Sequence, residues 1–171
     1  MAAKTYAGMN GAAPGAAAAV PITTGTAIKT HIQIATNTTT PAIRFVEWWV
    51  EFDGSTAATP IKVELIRHTG GAQTTLTAYA SADIARVNDP NAPTSSIQLG
   101  TALSGFSNTT TEVTPTSAVS LETHFVPPTS GIYVQFPLGR EPEVQVSAFA
   151  RVRTTAGAAV NCYAGVMWEE G

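Results

Sequence analysis

Alternation of apolar and polar side chains is strongest over residues 43–52, Ile-Arg-Phe-Val-Glu-Trp-Trp-Val-Glu-Phe. Successive side chains of a strand point to opposite faces, so Val46, Trp48, Val50 and Phe52 share one face with Arg44 at its entry. Glu47, Trp49 and Glu51 share the other. The pattern predicts a central β-strand with the core under Trp48. Trp49 then points away from that core, between two carboxylates, towards solvent, a second layer or a partner.

The same two-residue period recurs along the chain. Residues 28–34 predict a half-buried strand with Ile28, Thr30, Ile32 and Ile34 inward and Lys29, His31 and Gln33 solvated. Residues 36–41, with Asn, four Thr and Pro, make a turn or crossing loop. Asp53-Gly54-Ser55 and Pro60 bound the loop of a hairpin whose return strand alternates Ile61, Val63 and Leu65 with Lys62 and Glu64. After Gly70-Gly71, residues 73–80 predict a weaker edge strand, Leu76 and Ala78 against Thr75, Thr77 and Tyr79. Residues 80–87 predict a short helix capped by Ser81 and ended by Asn88-Asp89-Pro90. Ile97, Leu99 and Leu103 mark another short strand, and residues 104–118 a long polar loop around Phe106.

The last third alternates most regularly. Val119, Leu121, Thr123 and Phe125 oppose Ser120, Glu122 and His124, and Pro127-Pro128 turns the chain into 132–136. Residues 143–153 predict one long strand with Val144, Val146, Ala148, Ala150 and Val152 inward. Val160, Cys162, Ala164, Val166 and Trp168 are inward on the final strand. About eight strands at short spacing with almost no helix give an all-β fold, an antiparallel β-sandwich of jelly-roll type. The sandwich spans 27–171.

Residues 1–26 are rich in Ala, Gly, Thr and Pro, with Tyr6, Met9, Val20 and Ile22 as their sizeable apolar groups. They predict an extended, low-complexity N-terminal arm, either frayed or ordered on a neighbouring subunit. On that reading, deleting the arm leaves the sandwich folded. Its alanine run is interrupted by Pro14 and Gly15, which makes a poor signal peptide, and no stretch approaches the ~20 apolar residues of a membrane helix. The expectation is a protein made in a cytoplasm, with no membrane partner.

Charged residues are 12% of the 171, about half the share of an ordinary domain. The surface is therefore largely Thr, Ser and Ala, suited to packing against neighbours. A net charge of −3 without a basic stripe argues against a nucleic-acid partner. The single Cys162 is a small buried hydrophobe in this pattern, and no intrachain disulfide is possible. The sequons at Asn37 and Asn108 are of the kind a Thr-rich chain contains by chance.

His31, His68 and His124 have no metal-ligand spacing, and no nucleophile elbow, phosphate loop or dinucleotide fingerprint occurs. Glu47 and Glu51 could face each other as a glycosidase pair, but on an outer face beside Trp49 they are solvated or intersubunit carboxylates. The expectation is no catalytic residue, no metal and no cofactor. What stands out is aromatic: Trp49, Tyr79, Tyr133, Phe149 and Tyr163 on the faces opposite the core. Such rings stack on sugars, are buried by another subunit, or lie under loops of the same domain.

The Ala/Gly/Thr arm, the Thr-rich low-charge sandwich, the scarcity of cysteine and the short Pro-bounded loops resemble virion structural proteins of tailed bacteriophages, in particular head decoration (cement) proteins. The resemblance implies a β-rich homotrimer located in the virion, bound to the major capsid protein on the outside of the shell. The interface residues expected on this reading are Tyr6, Met9, Val20 and Ile22 of the arm with Trp49, Tyr133, Phe149 and Tyr163. A carbohydrate-binding module and a tail-fibre head domain are the alternatives.

Overall fold

Period-2 strands can bury one face each only by stacking two sheets, and the chain does so. The structure, a computed structural model, describes residues 3–11, 20–39, 42–54, 59–107 and 111–171. The strands are β1 (Lys4–Met9), β2 (Ile22–Thr23), β3 (Ile28–Ala35), β4 (Ile43–Asp53), β5 (Ile61–His68), β6 (Leu76–Ala78), β7 (Ala85–Arg86), β8 (Gly105–Ser107), β9 (Val119–Val126), β10 (Gly131–Gln135), β11 (Glu143–Val144), β12 (Phe149–Thr155) and β13 (Asn161–Glu170). Sheet A runs β10-β4-β13-β1-β7, with β11 beside β4 and β2 beside β13; sheet B runs β6-β8-β3-β12-β5-β9. Every ladder between these strands is antiparallel, so the antiparallel sandwich read from the sequence is the observed fold.

The core lies between the sheets and is built on Trp48 and Trp168, both fully buried, with Ile32, Ile34, Phe45, Val50, Val63, Leu65, Val152 and Val166 around them. The expected inward set of the last strand, Val160, Cys162, Ala164, Val166 and Trp168, is buried throughout.

The N-terminal expectation is corrected for its described part. Lys4–Met9 is a strand inside sheet A, in register with β13 from Lys4↔Glu170 to Met9↔Gly165 and flanked by β7 on its other side. Tyr6 is buried against Trp168, ring centroids 6.1 Å apart, and donates its hydroxyl to the Pro93 carbonyl at 3.0 Å. Ile22 is buried and opposite Cys162. Few large side chains suffice for a strand that docks on an existing sheet, because its ladder bonds are independent of side-chain size. Residues 1–2 and 12–19 of the expected arm lie outside the described residues.

Other differences come from bulges, where one extra residue flips the alternation. The β4–β13 register shifts at Met167/Trp168, opposite Glu47 and Phe45, so Ile43 and Phe45 join the core and Val46 does not. A shift between Leu65 and Ile66 against β9 turns that strand over: Phe125 is 71% exposed, Val126 is buried, and His124 faces the Trp48 ring at 6.0 Å. The long strand expected over 143–153 is two, because the chain crosses from sheet A to sheet B at residues 145–148, leaving Val146 exposed and Ser147 at φ 56°. Residues 81–83 form one 3-10 turn, closed by Asp83 Oδ2 accepting from Ala80 N at 2.7 Å rather than by Ser81. The strand expected around Ile97 and Leu99 reduces to single bridges, Gln98 to Ala35 and Leu99 to Ser104. Part of the expected 104–118 loop is β8, inside sheet B.

The centre of the outer face of sheet B is covered, while Phe125 at its β9 edge is not. Arg151, which alternates with the inward Ala150 and Val152, is buried there with Gln33, under residues 111–116. Its Nε donates to Gln33 Oε1 at 2.9 Å and its Nη1 to the Val113 carbonyl at 2.8 Å, while Nη2 donates to the Gly71 carbonyl. Glu112, its side chain 6% exposed, bridges Arg151 at 3.3 Å and Arg153 at 3.1 Å and accepts from Thr30 Oγ1 at 2.7 Å. Arg153 also pairs with Glu64 at 3.1 Å. A loop of the same domain therefore fills the role that the sequence left open for this face.

Candidate interaction face

Sheet A presents the opposite case. Register alone assembles a grid on its outer face: Gly131, Tyr133 and Gln135 of β10 stand opposite Glu51, Trp49 and Glu47 of β4, which in turn stand opposite Tyr163, Gly165 and Met167 of β13. The middle row is Tyr133, Trp49, Gly165. Trp49 lies over the glycine, since a Cβ at 165 would fall 1.9 Å from the indole Cζ2. The Tyr133 ring adjoins it, with centroids 6.4 Å apart and planes within 28°. Two neighbouring rings thus form one aromatic surface, with Tyr133 60% exposed and Trp49 half-buried.

Polar groups frame this surface. Glu47 accepts from the Tyr133 hydroxyl and, at 3.1 Å, from Gln135 Nε2. The bond to the carboxylate holds the Tyr133 phenol above its usual pKa, so it stays a donor. Glu51 stands exposed at the other end, beside a cleft of about 410 Å³ formed with Phe52, Ser130, Gly131, Ile132 and Tyr133.

Of the residues expected at an interface, the fold brings Trp49, Tyr133, Tyr163 and Met9 to one face, Met9 standing opposite Gly165 at the far end of the middle row. Tyr6 and Ile22 are in the core. Val20 is 64% exposed away from the grid. Phe149 belongs to sheet B and stacks on His68, centroids 5.2 Å apart. Tyr79 is buried, donating to the Met9 carbonyl at 2.7 Å. Sequence reasoning missed Gln135, Gly165 and Met167; their strand periodicity was visible, but the pairing that sets them beside Trp49 was not.

The histidines sit elsewhere, and His31 is not solvated. It is fully buried at a bulge of β3, its Nδ1 accepting from Asn10 Nδ2 at 3.4 Å and its Nε2 donating to Thr154 Oγ1 at 2.9 Å. Burial, then the nearby Lys29 charge, lowers its pKa to about 3. Lys29 is buried too, with Nζ on the Thr23 carbonyl at 2.7 Å, and desolvation lowers its pKa. His68 donates from Nδ1 to the Gly70 carbonyl at 2.8 Å; burial first, then Arg151, lowers its pKa to about 4. Burial raises the Cys162 thiol far above its ordinary value, which keeps it protonated and unreactive. Among the described residues no cluster of three or more His, Cys, Asp or Glu has metal-binding geometry. No family model, no curated protein and no solved structure matches this chain.

Proposed function

We propose that the protein is a non-enzymatic structural subunit of a bacteriophage virion, of the head-decoration type, binding the outer shell through the major capsid protein and through other copies of itself. The observation that carries this reading is the contrast between the two outer faces. The β3–β12 centre of sheet B is closed by its own loop, with Phe125 left exposed at the β9 edge, whereas sheet A leaves an aromatic grid at its centre uncovered by any described segment. Tyr and Trp on an open face of a weakly charged protein are the composition of a protein interface. The test is co-sedimentation of the purified chain with shells that lack it. Saturable binding, lost in a Trp49→Ala/Tyr133→Ala double variant that melts normally, is expected; no binding by the wild type overturns the proposal.

A second reading draws on the same grid. Glu47, Gln135 and Glu51 supply hydroxyl acceptors and an amide around two stacked rings, the polar company a sugar site needs. Titration with a panel of oligosaccharides, read by Trp49 fluorescence, separates it from the first.

A further inference from the structure

The edges of the two sheets differ in how they are protected. An edge strand offers unpaired N–H and C=O groups, and proteins blunt edges by shortening, charging or bulging them. Sheet B ends in β6, three residues long, and in β9, which carries Glu122 and His124 and a bulge. Sheet A ends in β7, two residues long, and in β10. β10 has none of these devices. Its ladder with β4 extends past its assigned ends, from Gly54 N on the Pro128 carbonyl through Phe52 N on Ser130 to Phe136 N on the Val46 carbonyl. Residues 128–136, Pro-Thr-Ser-Gly-Ile-Tyr-Val-Gln-Phe, contain no charge.

The phase of that ladder fixes what the edge presents. Ser130 and Phe136 bond β4, so the even-numbered residues between them do likewise, and Gly131, Tyr133 and Gln135 direct their N–H and C=O groups off the sheet. The Tyr133 side chain leans over β4 to Glu47 and leaves its own backbone edge clear.

We infer that β10 pairs antiparallel with β10 of a second copy about a two-fold axis at Ile132, joining two A sheets into one. This inference rests on the self-association proposed above and names its contact. Residues numbered 131 and 133 then face each other across the axis, so the position opposite each Tyr133 is the partner's glycine, which has no side chain to obstruct the approach of the two edges. An uncharged strand meets its own copy without opposing like charges. The aromatic rows of the two copies become neighbours, offset by two residues along the strand. A two-fold contact gives dimers, or hexamers if threefold rings are joined through it, whereas the resemblance alone implies trimers.

The test is light scattering on the full chain with four variants. Wild type is expected as a dimer or hexamer. Tyr133→Pro removes an N–H that no intrachain bond uses and should halve the mass while the protein still melts cooperatively. Ile132→Cys places two thiols at a non-hydrogen-bonded pair on the axis, where Cα atoms approach to ~4.5 Å, and should give a covalent dimer under oxidation. Val134→Cys should not, and buried Cys162 does not interfere. If Tyr133→Pro fails to fold, Tyr133→Lys and the cysteine pair decide. A wild-type trimer, or an associated wild type in which Ile132→Cys does not cross-link, overturns this contact and leaves the structural-subunit reading standing. A wild-type monomer that also fails to bind shells overturns both.

Discussion

Trp49 and Gly165 face each other across β4 and β13, and the indole occupies the space a side chain at 165 would need. The aromatic face therefore depends on a residue with no side chain. Gly165→Ala should expel the indole, shift Trp49 emission to the red and cost roughly 1–3 kcal/mol, the range of overpacking. In a Trp49→Ala background the same change should be neutral or stabilising, because the clash is gone and alanine lowers unfolded-chain entropy. Equal costs in the two backgrounds, measured by urea unfolding, would refute the close approach.

Trp48 and Trp49 are adjacent in sequence and on opposite faces of β4, the first fully buried and the second half-buried. Trp48→Ala should lose about 3–5 kcal/mol, while Trp49→Ala should cost under about 1.5 kcal/mol and act on association. Trp48→Phe should be milder than its volume change suggests, because the buried Nε1–H has no hydrogen-bond partner among the described residues and removing it relieves a cost. Similar unfolding free energies for the Trp48→Ala and Trp49→Ala variants would contradict the assigned faces.

The split between these tryptophans was legible because periodicity within a strand is local. So was the inward set of β13. The reversal of β9 was not, since a single bulged residue against Ile66 is a property of the partner strand. Lys29, His31, Gln33 and Arg151 look like a solvated stripe in sequence; they are buried because other segments, distant in the chain, cover them. The candidate site was legible at Trp49, Tyr133 and Tyr163 as exposed rings, and illegible as a grid, because the β10-β4-β13 order is a long-range fact.

Truncation should behave opposite to the expectation from composition. Tyr6 fills the core beside Trp168, and β1 separates β13 from β7. Tyr6→Ala should cost about 3 kcal/mol or more, and deleting residues 1–26 should abolish the cooperative melt by uncovering the β13 edge. A truncated chain with an unchanged melting temperature would return the segment to the role of an arm.

Acid should weaken the fold through two histidines. Their pKa values are lowered on folding, to about 3 for His31 and about 4 for His68, from an ordinary 6.5. Between those values the unfolded chain binds protons that the native chain does not. Stability from the neutral imidazoles is thus full above pH 6.5 and lost as pH falls below it, with a limiting slope of ~1.4 kcal/mol per pH unit per histidine. Denaturant unfolding at pH 7.5, 6 and 5 should show the decline, and His68→Gln should flatten part of it. A flat profile over that interval would mean that neither imidazole is held neutral.

The ion pairs of sheet B separate buried from exposed electrostatics within a few residues. Lys62 pairs with Glu64 at 2.9 Å, but its side chain is 38% exposed, so Lys62→Ala should change stability by about 1 kcal/mol or less. Arg151 has a fully buried side chain and bonds Gln33, Val113 and Gly71 besides Glu112. Arg151→Ala takes the donor from two loop carbonyls, leaves the Gln33 amide oxygen with the Gln73 backbone N–H alone, and leaves Glu112 with one cation fewer in a poorly solvated site, which should cost roughly 3–5 kcal/mol. The damage should be greatest where those partners lie. Residues 111–116 reach sheet B through Glu112 and the Val113 carbonyl, so their release exposes Glu112 to a glutamate-specific protease. Cleavage there at low protease concentration is expected in Arg151→Ala and not in Lys62→Ala. If both variants lose equal stability and resist the protease alike, Arg151 does not hold the loop to the sheet.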